Sequence, residues 1–448
     1  MTHGNLWKNI LFYSIPLVLT NLLQLLFNIA DVAIVGKFAG SISLGAVGST
    51  TLLVVLTTGW LIGISSGVNA VVAFFAGAND PEHEHRAVQT GLLLCLAAGL
   101  FTMLLGLLAG APMLRLLGTK DELITEATLY LKIYLLGSPA LALYNYGNAV
   151  LSAVGETKKP LIYLSVAGVI NILLNLFFVI VLGMRSDGVA YASIIAQYIS
   201  AVLILFALFR AEGAHRLERK IPAYDRNSAA RILKIGIPAA LQYSLFAVAN
   251  LFVQSAVNSF DHVIVEGNSA AMNFDSVVYE SMAAFYVATT GFIAQNYGAG
   301  KRDRVRKTYA ITTVYSFGLA FVLGLIAFRF RAPLLGLFTN DAEVVAAGSI
   351  RLNVLCFSWC LSAFMDNATA ACRGLGKTLV PTAIVLMGTI VFRIVWIYTV
   401  FAHFGTLSSL YLLYGCAFVI TGIFQNIYYF RLYRKTFGGH ETPREVTV

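Results

Sequence analysis

Apolar runs of roughly 20 residues or more recur along this chain, broken by short polar segments. Crossing the ~30 Å hydrocarbon core of a bilayer takes about 20 residues at ~1.5 Å each. The pattern therefore predicts an all-α polytopic membrane protein with twelve transmembrane helices. They are expected at 11–35, 50–77, 88–110, 127–150, 161–183 and 188–210, then at 232–260, 274–297, 309–328, 346–371, 381–402 and 407–430. The first run follows Lys8 but is too long for the core of a signal peptide and lacks a small-residue cleavage site, so it is read as a helix.

The two sets of six form an internal repeat. Ile15 and Pro16 return as Ile237 and Pro238, and Asn28 returns as Asn250, an offset of 222 (238 − 16). Gly77, Ala78, Gly155, Thr157 and Pro160 return as Gly298, Ala299, Gly376, Thr378 and Pro381, an offset of 221 (381 − 160). A nearly constant offset across several places marks a duplication rather than chance. An even number of crossings per half makes the repeats parallel, with a cleft between two lobes. The expected domains are an N-lobe at 1–210, a cytoplasmic linker at 211–231, a C-lobe at 232–430 and a cytoplasmic tail at 431–448.

Composition agrees with a membrane protein: 58% of residues are hydrophobic and 12% charged, with a mean hydropathy of +0.76. The net charge of +9 raises the question of nucleic acid, and its placement answers it. Lys158, Lys159, Arg216, Arg219, Lys220, Lys301, Arg302, Arg304, Arg306, Lys307, Arg431, Arg434 and Lys435 fall on one set of loops. The other set holds Lys37, Arg115, Lys120, Arg185, Arg329 and Arg331. The positive-inside rule puts the richer set, and both termini, in the cytoplasm. The basic loops are then topology signals, and no nucleic-acid partner is expected. Cys95, Cys356, Cys360, Cys372 and Cys416 show no metal-ligand spacing and read as small packing residues. Pro16, Pro139 and Pro238 are placed inside helices, where each removes a backbone hydrogen bond and permits bending. Gly63 with Gly67, and Gly106 with Gly110, have the four-residue spacing that lets helices approach closely.

Polar residues inside the apolar runs locate candidate chemistry. Asn21, Gln24, Asn28 and Asp31 share one face of the first helix, which a lipid-facing helix could not tolerate. Asp31 is the most costly of them to bury unless it is paired, protonated or bound to a cation, or else held by helix-end donors near Gly36. Depth along the helices brings Asn171 and Asn175 of the fifth, Ser193 of the sixth and Tyr130 of the fourth toward the same outer level. One carboxylate among neutral oxygens suits Na⁺, and equally a carboxylate that exchanges a proton. The second half lacks a carboxylate on its first helix but carries Glu280, Asp366 and Arg393. Asp366 and Arg393 are expected to pair, with Glu280 the competing partner.

These landmarks resemble the multidrug and toxin extrusion family in its bacterial branch. The resemblance rests on Ala30-Asp31 with Val35-Gly36, on Ala153-Val154-Gly155-Glu156-Thr157 with Pro160, and on Asn171-Ile172-Leu173-Leu174-Asn175. Gln295-Asn296-Tyr297-Gly298-Ala299-Gly300 and Arg373-Gly374-Leu375-Gly376 complete it. It implies a V-shaped, two-lobe transporter of the bacterial plasma membrane that exports drugs against inward Na⁺ or H⁺. Asp31 and Asn171 match the family's N-lobe cation site. Tyr130, Asn148 and Ser193 match further polar positions of that cavity, Gln24 a substrate contact, and Pro16 the proline whose bending gates it. Where such members carry a second aspartate on the fifth helix, this chain has Asn175.

The expected function is therefore cation-coupled efflux of amphipathic, cationic compounds by a monomer, with no cofactor beyond the coupling ion. Aromatic residues make up 12% of the chain and would serve such substrates through apolar burial and cation–π contact. A flippase or an exporter of a lipid-linked or narrow natural substrate is the alternative, although that work calls for a basic cavity and only Arg393 is deep. An intramembrane enzyme is not expected, because no nucleophile–base pair or His-Glu motif occurs.

Overall fold

The computed structural model describes residues 1–218 and 223–438; Arg219, Lys220 and the tail beyond 438 lie outside them. Its helices are α1 (Leu6–Ile34), α2 (Gly40–Ala78), α3 (Pro81–Leu116), α4 (Asp121–Leu136), α5 (Ser138–Ala153), α6 (Lys158–Leu176), α7 (Ser186–Phe209) and α8 (Arg226–Val257). They continue as α9 (His262–Gly298), α10 (Arg302–Arg329), α11 (Arg331–Leu335), α12 (Ala342–Gly374), α13 (Leu379–Leu386), α14 (Phe392–Trp396), α15 (Ala402–Phe404) and α16 (Leu407–Phe437). Four π-helical segments interrupt them: Val35–Ala39, Phe177–Val181, Met387–Val391 and Ile397–Phe401. No strand occurs among the described residues.

Local sequence sets the helix boundaries. Asp80, Asp261, Asp341 and Thr406 each accept a backbone N–H through the side chain and so cap α3, α9, α12 and α16. Gly155 and Gly376, an offset of 221 apart, follow α5 and α12 at φ of +94° and +74°. A left-handed residue after a helix favours glycine, which accounts for that pair of the repeat.

Ten stretches among the described residues are long and apolar enough to cross a membrane. The expected twelve is not reached by that measure for two local reasons. Leu6–Ala78 is a single stretch of 73 residues, about 110 Å if straight, and Gly40 at φ +90° breaks its direction. The fourth expected crossing is divided at Gly137 into α4 and α5, each 16 residues long.

The chain forms two compact units, one of Leu19–Ser244 and one of Met1–Val18 with Leu245–Val448. The lobes expected at 1–210 and 232–430 differ from these in where two half-helices fall. Leu6, Ile10, Tyr13 and Leu17 of α1 pack with Ala284, Ala288, Phe292 and Ile311. Lys301 donates to the Thr2 carbonyl at 2.9 Å, and Arg304 donates to the carbonyls of Gly4 at 3.0 Å and Met1 at 3.1 Å. In the other unit, the first part of α8 lies against α2. A Cβ on Gly63 would stand 2.2 Å from Ala240 Cα, and one on Gly67 would stand 2.4 Å from the Ile232 carbonyl oxygen. The Gly63/Gly67 spacing thus permits backbone-to-backbone contact.

Candidate functional site

Asp31 lies four residues before the π-segment Val35–Ala39 begins, and Asn175 two residues before the π-segment Phe177–Val181 begins. Extra residues of this kind inside helices re-aim side chains and cluster at functional sites. α1 and α6 come close because Gly168 leaves room for Phe27: a Cβ there would stand 1.8 Å from Phe27 Cε2. One turn further along α6 is Asn171, and a second turn brings Asn175.

The Asp31 carboxylate is held from both sides. Asn175 Nδ2 donates to Oδ1 at 2.5 Å and Ser193 Oγ donates to Oδ2 at 3.1 Å. Asn171 braces the pair, accepting from Asn175 Nδ2 at 3.3 Å and donating to Ser193 Oγ at 3.5 Å. Asn171, Asn175 and Ser193 are buried. Asn175 Oδ1 is enclosed without a hydrogen-bond partner, an orphaned acceptor beside a carboxylate. No Lys, Arg or His lies within ion-pair distance of Asp31 among the described residues. The arrangement offers negative charge and neutral oxygens with no built-in cation, which suits a small cation or a proton. Among the described residues no cluster of three or more His, Cys, Asp or Glu could hold a metal ion.

The other expected residues divide. Tyr130 is buried beside the site with Ile34, Val35, Val179 and Val189, its ring stacked on Tyr134 at 6.1 Å. Gln24 is half-buried and Asn28 exposed on α1. Asn148 on α5 accepts from Ser152 Oγ at 3.3 Å, a bond within its own helix. Pro16 belongs to the first half of α1 and so to the other compact unit. Sequence reasoning missed Glu126, which accepts from Ser43 Oγ at 2.5 Å and Ser186 Oγ at 2.8 Å, tying together α2, α4 and α7. It stands just outside the fourth expected crossing, which begins at 127, and so was not among the polar residues found inside an apolar run.

In the second unit the expected Asp366–Arg393 pair is not formed. Arg393 Nη1 donates to Asn250 Oδ1 at 2.7 Å, and its guanidinium lies 4.8 Å from the Tyr414 ring centre. Asp366 is buried on α12 and Glu280 half-buried on α9. Among the described residues an ion pair joins Arg351 to Asp275, with Arg351 Nη1 also donating to Asn268 Oδ1 at 2.8 Å. Depth along helices could place Asp366 near Arg393 but not decide which face each residue occupies.

A membrane-embedded helical protein of two repeats, with a partly open carboxylate site in one unit, has the architecture of a membrane transporter. The MatE family model matches residues 16–177 and again 238–399, an offset of 222 (238 − 16) equal to that of the repeat. The chain belongs to the MatE family of multidrug efflux transporters. It is 27% identical over 356 residues, 80% of each chain, to a probable multidrug resistance protein, YpnP, of Bacillus subtilis. It is 25% identical over 349 residues, 76% of each chain, to an FAD transporter of Shewanella oneidensis. An outward-facing multidrug resistance MATE transporter structure has the same fold, with a TM-score of 0.91 at 22% identity over 97% of this chain and 98% of that one. The protein is accordingly a multi-pass membrane transporter with small-molecule substrates.

Proposed function

We propose that the protein exports amphipathic cationic compounds in antiport with H⁺ or Na⁺, and that Asp31 takes the coupling ion. The observation carrying this reading is the Asp31 carboxylate, gripped by Asn175 and Ser193 with the Asn175 Oδ1 acceptor left over. An ion arriving from outside would neutralise Asp31 and take up that acceptor, favouring a closed N-terminal unit and release of the drug. Gln24, Asn28, Tyr130 and Asn148 would line the drug cavity, and α1 would bend at Pro16 as the cavity closes. Glu280, Asp366 and Arg393 belong to the polar interior of the second unit. Both termini would face the cytoplasm, and the transporter would work as a monomer.

Ethidium efflux from proteoliposomes tests this, with Na⁺ and pH gradients imposed separately on wild type and Asp31→Asn. The isosteric amide keeps the shape and removes the charge. Coupled export is expected to vanish in the variant while the protein stays inserted and monodisperse. Full export by Asp31→Asn would overturn the role given to Asp31. Drive by Na⁺ alone would make the carboxylate a Na⁺ ligand, and drive by pH alone a proton carrier.

A second reading, export of a narrow natural compound, is favoured by the relative named as an FAD transporter. It would use the same site and show as no ethidium transport under either gradient.

A further inference from the structure

The repeat relates the two polar sites. The offset of 222 carries Asn28 to Asn250 and Asp31 to Val253, and the offset of 221 found from Gly155 to Pro160 carries Asn171 to Phe392, next to Arg393. The first unit therefore holds a carboxylate where the second has a valine, and the second holds a guanidinium beside the place where the first has an amide. The sign of the buried charge differs between the two polar sites.

The surroundings of Arg393 are short of negative charge. It is 2% exposed on the five-residue α14, between the π-segments Met387–Val391 and Ile397–Phe401. Its contacts are the neutral Asn250 oxygen and the Tyr414 ring, and its Nε is enclosed without a partner. Arg351 lies over the same ring at 5.5 Å, and Asp275 is already bonded to Arg351. Two guanidiniums thus face Tyr414, and the Asp275 carboxylate is engaged by Arg351. A guanidinium has five N–H donors and favours oxyanions that take two at once. Burying it with one neutral acceptor is costly unless a ligand completes the set.

We propose that Arg393, with Asn250 and Tyr414, forms an anion subsite in the second unit that receives the carboxylate or phosphate group of an amphipathic substrate. Tyr414 would stack against the substrate's ring system, and Arg393 would take its acidic group. The proposal rests on the transport reading but goes beyond its cationic substrate class, adding compounds that bear an acidic group on an aromatic body. Such compounds are held by Arg393 irrespective of which ion Asp31 takes.

The test is equilibrium binding to detergent-solubilised full-length protein, without any gradient, using two matched probe pairs. Rhodamine B differs from its ethyl ester by a free carboxylate, and flavin mononucleotide differs from riboflavin by a phosphate. The readout is the affinity ratio within each pair. At least one acidic member is expected to bind about tenfold or more tightly than its partner. That ratio should fall toward one in Arg393→Gln and be partly kept in Arg393→Lys. A preference in the flavin pair alone assigns the subsite to phosphate, and one in the rhodamine pair alone assigns it to carboxylate. Ratios near one in the wild type, or a wild-type ratio surviving in Arg393→Gln, would overturn the proposal. If Arg393→Gln does not purify as a monodisperse protein, Asn250→Ala and Arg393→Lys decide by the same ratio, an unchanged ratio in both counting against it. Failure of the Asp31 mechanism would appear in the efflux assay and leave these ratios standing.

Discussion

Gly63→Ala puts a methyl group where α2 meets α8 backbone to backbone. The added Cβ would stand 2.2 Å from Ala240 Cα and 2.3 Å from Ala240 N, whereas carbon atoms settle at about 3.5–4.0 Å. The two helices must separate locally by about 1.3 Å or more, because the obstructing atoms are main chain and cannot rotate aside. The intrinsic gain in helix propensity is only about 1 kcal/mol, and loss of close packing over adjoining turns offsets it at about 1–3 kcal/mol or more. Gly110→Ala is the internal control: it faces only Leu131 Cδ2, at 3.3 Å, and that methyl can shift. Gly48→Ala meets nothing within 4 Å and should be neutral or slightly stabilising. Heating the detergent-solubilised proteins and measuring the surviving monodisperse fraction would rank the variants. Gly63→Ala should melt several degrees below wild type and below both controls. If it matched Gly110→Ala, backbone contact at Gly63 would not be what holds the first part of α8 in the N-terminal unit.

Asp275→Ala leaves Arg351, 3% exposed, without its counter-ion and should cost about 3–5 kcal/mol. Asp275→Ala combined with Arg351→Met should recover most of that loss in the same melting assay, and a double variant as unstable as the single would argue against the pair. His215, in the linker, stands 3.9 Å from Glu84; burial holds its imidazole below the usual 6.5, with Glu156 drawing it up and Lys159 down. A histidine kept neutral in the fold supports the linker fully above pH 6.5, and that support is lost as pH falls through 6.5 toward the lowered folded value. Hydrogen exchange at residues 211–218, corrected for the intrinsic rate, should therefore quicken between pH 7.5 and 5.5, and the change should shrink in His215→Gln.

Much of the fold was legible because a bilayer leaves few alternatives. Length and hydropathy identified an all-helical, multi-pass chain, though not its count of crossings, and the recurrence of Pro16 as Pro238 and Gly155 as Gly376 exposed the duplication. Asp31, Asn171, Asn175 and Ser193 could be grouped from depth along their helices, and all four now share one network. Depth says nothing about azimuth, however. The π-segments after Asp31 and Asn175 and around Arg393 rotate the adjoining turns of helix, and no residue pattern announced them. Arg393 was therefore matched with Asp366 at a similar depth when its acceptor is Asn250. Arg351 and Asp275, which do form an ion pair, were not matched at all.

The same distinction explains the boundaries of the compact units. Repeats record which segments descend from one another, whereas packing records which surfaces fit. Pro16 and Pro238 are repeat equivalents, and each lies a few residues before its helix changes unit, at Val18 and Ser244 respectively. Before the change, α1 is fixed by the Trp7 carbonyl accepting from Tyr315 OH at 3.2 Å and by apolar contact with Phe292. After it, α1 presents Phe27 to Gly168 and Asp31 to Asn175 and Ser193. One helix thus has its first half anchored in the unit that contains Arg393 and its second half in the unit that contains the Asp31 network. Proline within such a helix supplies a missing hydrogen bond close to where the anchoring changes. If Asp31 takes the coupling ion as proposed above, a change in the grip of Asn175 and Ser193 would act on a helix whose first part is held by other contacts, and Pro16 would be the place where that helix yields.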